Sequence, residues 1–90
     1  MRRRIERAGS PVETHYSVVL RGRREEKGFT QRELARRTEE CGVLVTAAGI
    51  SRLELGDRTP TLITACVLAD ALGTTVDSMV AACAAARAAA

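Results

Sequence analysis

An all-α domain of five helices is what this chain should build, and three observations point to it. Ala, Leu and Val dominate its apolar residues, while Tyr16 and Phe29 are its only aromatics. That composition favours helix over strand. Thr30-Gln31-Arg32-Glu33 has the spacing of a capping box, in which a hydroxyl and a carboxylate satisfy two amides at a helix start. Gly28, Gly56 and Gly73 each follow an apolar-periodic stretch, where glycine commonly ends a helix. Ninety residues suffice for one domain with a modest aliphatic core. Dimerisation or a bound partner could add stability to so small a unit.

Residues 1–12 carry Arg2-Arg3-Arg4 and then Gly9-Ser10-Pro11. The Gly-Ser-Pro run should break any helix, so this stretch reads as a flexible basic arm. The domain proper is expected over residues 13–83. Its first helix should run from Glu13 or Thr14 to Lys27, with Val18, Val19 and Leu20 on the apolar side. Gly22 weakens that helix, and Arg23 and Arg24 stand where the apolar stripe would otherwise continue.

Thr30 caps the second helix, whose buried face is Leu34 and the small Ala35. Residues 38–45 are ambiguous. Glu39 and Glu40 extend helix two if Gly42 is its cap, leaving Val43, Leu44 and Val45 as a short apolar link. Thr46 caps a third helix through Leu55, with Ile50 and Leu53 inward and Gly56 as its stop. Asp57-Arg58-Thr59-Pro60 is a turn. Thr61 caps a fourth helix over 62–72, with Leu62, Cys66, Ala69 and Leu72 on one face and Leu68 beside them. A fifth helix starts near Thr75, and Val76, Met79, Val80 and Cys83 form its stripe. It leads into an Ala-rich helical tail over residues 84–90, which either frays or packs on a second copy.

Charge is divided along the chain. Residues 1–37 hold eleven basic side chains against five acidic ones, and residues 38–90 hold three against six. A basic half opposite an acidic half suggests one face turned to a polyanion. Ordinary solvated helix surface would give the same pattern. No apolar run reaches the roughly 18 residues a membrane span needs, and no apolar segment follows the basic N-terminus as in a secretory signal. Cys41, Cys66 and Cys83 are widely spaced, with no C-x-x-C and only His15 as a histidine. No metal site and no cofactor are expected. Three reduced thiols in a cytoplasmic protein are expected instead, with Cys66 and Cys83 serving as small core residues. His15, Asp70, Asp77 and the cysteines form no catalytic spacing, so an enzyme is not expected.

Two short capped helices close together, in a small basic chain, are the local signature of a helix-turn-helix. Three segments sharpen it: 24–35 (REEKGFTQRELA), 50–62 (ISRLELGDRTPTL) and 68–73 (LADALG). Over roughly residues 18–80 the chain resembles the lambda-repressor-like, Cro-type helix-turn-helix family. The resemblance implies a compact five-helix bundle that places helix three in the major groove of double-stranded DNA.

Roles follow from the resemblance position by position. Gln31 matches a residue that contacts a backbone phosphate and braces the recognition helix. A helix N-terminus independently favours phosphate there. Thr30, Arg32, Arg36, Thr46 and Arg58 join it as phosphate-binding positions. Arg24 and Glu54 match an internal ion pair, which would explain a charge on the apolar side of helix one; a surface Arg24 is the other reading. Base-reading positions fall at Ala47, Ala48, Ser51 and Arg52. Alanine can touch only a thymine methyl, so Arg52 is the best candidate for a guanine contact, with a phosphate contact as its alternative. Arg37 reads as plain surface charge. The arginine arm either follows a DNA groove or is a solubilising tail.

The chain departs from the family pattern in its connection. Fourteen residues lie between Ala35 and Ile50, roughly five more than in the compact form with its turn of about 3–4 residues. The expected function is a sequence-specific transcriptional regulator of bacterial or phage type. It should be a repressor acting as a homodimer through helices four and five on a two-fold-related operator. Control by abundance or by a protein partner is expected. The alternative is a protein-interaction or antitoxin-like module with weak base readout, for which Ala47-Ala48-Gly49 speaks.

Overall fold

A computed structural model describes residues 11–89, with side chains from His15 onward. It contains α1 (Pro11–Glu26), α2 (Gln31–Glu40), α3 (Ala47–Leu55), α4 (Leu62–Ala71) and α5 (Val76–Ala89). No strand occurs among the described residues. α1 packs on α3 and α5, α2 packs on α3 and α4, and α4 meets α5. Residues 1–10 of the basic arm, Arg2 to Arg4 included, lie outside the described residues.

Threonine hydroxyls start four of the helices. Thr30, Thr46 and Thr61 accept from the amides of Glu33, Gly49 and Thr64, and Thr75 accepts from Ser78 at the head of α5. At Thr30 the box is complete, because Glu33 Oε1 accepts from the Thr30 amide at 2.8 Å. The ends of α1 to α4 share one device. At α2, the Gly42 amide reaches the Glu39 carbonyl and the Val43 amide reaches the Thr38 carbonyl. That double closure requires a left-handed residue between them, and Gly42 has φ 109°.

The core is aliphatic, as the composition requires. Leu20, Leu34, Ile50 and Leu68 are fully buried, joined by Leu53, Leu72, Met79 and Cys83. Each fully buried leucine or isoleucine contributes roughly 2–3 kcal/mol. Phe29, Tyr16 and Val45 pack at its margin.

Several expectations need correction. Pro11 opens α1 instead of ending a linker, since a proline at the first helical position gives up an amide that has no partner there anyway. Val18 is 60% exposed; three consecutive helical residues spread over about 200° and cannot all face inward. In α4 the buried side is Val67, Leu68 and Ala69, continued by the cap residue Leu72, while Leu62 and Cys66 are exposed. Of the two cysteines expected in the core, only Cys83 is there. Val80 is exposed although Met79 and Cys83 of the same stripe are buried.

Candidate nucleic-acid interface

Glu54, on the last turn of α3, organises the site. Its side chain is 5% exposed, and the Arg24 side chain facing it from α1 is 12% exposed. Arg24 donates to it twice, Nε to Oε2 at 2.7 Å and Nη2 to Oε1 at 2.9 Å. This fork geometry is the strong form of an arginine–carboxylate pair. Arg24 Nη1 also donates to the Phe29 carbonyl at 2.7 Å, in the loop before α2. Gln31, the first residue of α2, donates from Nε2 to Glu54 Oε1 at 3.0 Å. One carboxylate thus joins α1, the start of α2 and the end of α3. Burial pushes the Glu54 carboxyl up, but the hydrogen bonds from Arg24 and Gln31, with the Arg24 charge, outweigh it and hold it below the usual range. The same pair keeps Arg24 firmly protonated.

A second clamp fixes the connection between α2 and α3. Thr38 is fully buried. Its hydroxyl donates to the Ala35 carbonyl at 2.6 Å and accepts from the Val45 amide at 2.8 Å. The threonine side chain therefore ties the last turn of α2 to the residue that precedes the α3 cap. Thr38 is not among the residues the sequence singles out, because a bond across seven residues leaves no local pattern. Arg37 is more than the plain surface charge expected of it: its guanidinium lies 4.2 Å from the Phe29 ring centroid and covers it.

The remaining sequence-predicted positions divide by exposure. Arg32, Arg36, Arg52 and Arg58 are exposed, and their side chains form no hydrogen bond or ion pair among the described residues. Thr30 and Thr46 are exposed too. Each hydroxyl accepts an amide as a cap and keeps its proton for a further acceptor. Ala48 is exposed, Ser51 is half-buried, and Ala47 packs against the core. The first turn of α3 holds no acidic residue. Thr46, Gly49 and Arg58 share one recess of about 290 Å³ with Val43 and Leu44. No group of three or more His, Cys, Asp or Glu side chains that could hold a metal occurs among the described residues. No single helix described is long and apolar enough to cross a membrane.

The arrangement suits a polyanion. Two capped helix starts offer amides and hydroxyl protons. Arginines with no bonded partner among the described residues stand on α2, α3 and the following turn, and the Glu54 carboxylate at the end of α3 is paired with Arg24. No curated protein and no solved structure matches the chain. A helix-turn-helix family model matches residues 20–79, from the buried Leu20 of α1 to the buried Met79 of α5. That stretch covers two thirds of the chain and includes the whole Arg24–Gln31–Glu54 network. The chain belongs to the lambda-repressor-like, Cro/C1-type helix-turn-helix family, and its domain is a DNA-binding regulatory domain.

Proposed function

We propose that this protein is a sequence-specific transcriptional repressor that binds a two-fold-related operator as a homodimer, with α3 in the major groove. The observation that carries the reading is the Gln31–Glu54–Arg24 network, which locks the start of α2 onto α3 beside four exposed arginines. In the complex, Thr30, Gln31, Arg32, Arg36, Thr46 and Arg58 hold phosphates. Arg52 reads a guanine, with Ala48 and Ser51 beside it and Ala47 contributing little beyond a close backbone approach.

The dimer is supported by the apolar surface of α4 and α5. Leu62, Ile63 and Val80 are 74%, 65% and 58% exposed. Leu62 and Val80 border a groove of about 260 Å³ floored by Tyr16, Ala65 and Met79. An apolar groove rimmed by exposed Leu62 and Val80 favours a protein partner. The groove shares Thr59, Pro60 and Thr61 with the recess beside α3. A second copy seated there would lie next to the DNA-facing edge.

Mobility shift on the DNA upstream of the protein's own gene, against random DNA at two salt concentrations, tests the function. Specific retention is expected. Arg52→Ala should reduce the preference for the specific site about 5- to 100-fold. Equal, salt-labile binding to both DNAs would reduce the function to charge attraction. No retention at low salt would favour a protein-interaction module instead.

A further inference from the structure

The lengthened connection between α2 and α3 presents apolar side chains to solvent while being held rigidly. Val43 and Leu44 are 44% and 53% exposed. Behind them, Val45 is pinned to the buried Thr38, and the Val43 amide is bonded to the Thr38 carbonyl. Ahead of them stand Thr46 and the first turn of α3, Ala47-Ala48-Gly49, with no charged side chain. Arg58 lies on the wall of the same recess. An exposed apolar edge beside an unpaired arginine suits a surface that alternates anionic and apolar groups. The major groove is such a surface, and its apolar group is the C5-methyl of thymine.

We infer that Val43 and Leu44 extend the reading edge of α3 and select thymine through its methyl group, Leu44 making the main contact while Arg58 holds a nearby phosphate. The inference rests on the DNA-binding function proposed above. It explains the extra residues of the connection, which supply the selectivity that the short alanines at the start of α3 cannot.

The test uses the full chain and a site selected from random duplex DNA. Thymines of that site are then replaced one at a time by deoxyuridine, which removes the methyl and keeps the base pair. At one or two positions per half-site, binding should weaken about 3- to 10-fold. Leu44→Ser should bind thymine and uracil sites equally, with an unfolding midpoint close to that of the unsubstituted protein. Leu44→Ala, which keeps a methyl, should retain part of the difference and covers the case in which serine perturbs the link. An enriched site at which no thymine responds would overturn the inference and leave the regulator intact. So would a Leu44→Ser protein that keeps the full uracil penalty. Selection that enriches no sequence would overturn the sequence-specific function, and the inference with it.

Discussion

Thr38 sits at the junction of two elements with no solvent to replace its bonds. Removing its hydroxyl leaves the Val45 amide without its acceptor, and a half-buried amide in that position is expensive. Thr38→Val should therefore lower the unfolding free energy by about 1–3 kcal/mol, and Thr38→Ser should lose less, as measured by urea titration. Glu54 makes a prediction about pH. Its carboxyl titrates below the ordinary value of 4.5 in the folded protein. The stability it contributes is thus fully present above that value and is lost as pH falls through the folded pKa. Glu33 is held down in the same direction, by the Thr30 amide first. Thermal unfolding should move to lower temperature on acidification below about pH 4.5. Glu54→Gln should weaken the protein at neutral pH by about 3–5 kcal/mol, since Arg24 then lacks its counter-charge, and should flatten the acid limb.

At the scale of the helix, Gly22 lies well inside α1, and a methyl group added there meets nothing within 4 Å. Gly22→Ala should raise stability by about 0.5–1 kcal/mol through the unfolded chain, visible as a higher unfolding midpoint. Helix punctuation was legible in the sequence because it is local. Thr30 with Glu33, Thr46, Thr61, and the glycines at 28, 42, 56 and 73 all act within a few residues of where they stand. The buried side of α4 was not legible. Leu62 to Ala71 is apolar nearly all round, so periodicity has no polar face to orient it. Packing against α2 and α5 decides, and it turns Cys66 outward with Leu62. The Arg24–Glu54 pair was legible only through resemblance. From spacing alone, two charges thirty residues apart carry no sign of contact.

For the molecule as a whole, the homodimer proposed above would form over the groove bordered by Leu62 and Val80. A glutamate at position 62 would bring a charge into any contact made there. Leu62→Glu should yield a monomer by sedimentation velocity and weaken operator binding about 10- to 100-fold, because a single domain has few base contacts. A Leu62→Glu protein of unchanged mass would exclude this face as the dimer surface. The exposure of Thr30, Arg32, Arg36, Thr46, Arg52 and Arg58 was legible, since helix starts, polar helix faces and turns are marked in the sequence. Ala47 was expected at the reading edge and instead packs against the core, half-buried. The exposure of the connection was not legible, because its apolar run resembles core, yet Leu44 faces water.

Tyr16 adds a practical consequence. Its hydroxyl is buried with no hydrogen-bond partner among the described residues, and that burial, aided by nearby Cys83, pushes its pKa up to about 12. The chain has one tyrosine and no tryptophan. Its near-ultraviolet signal therefore comes almost wholly from one ring, and that ring lines the groove on which assembly would depend. The protein carries a built-in optical reporter at that position, readable without a label, for whatever comes to cover it.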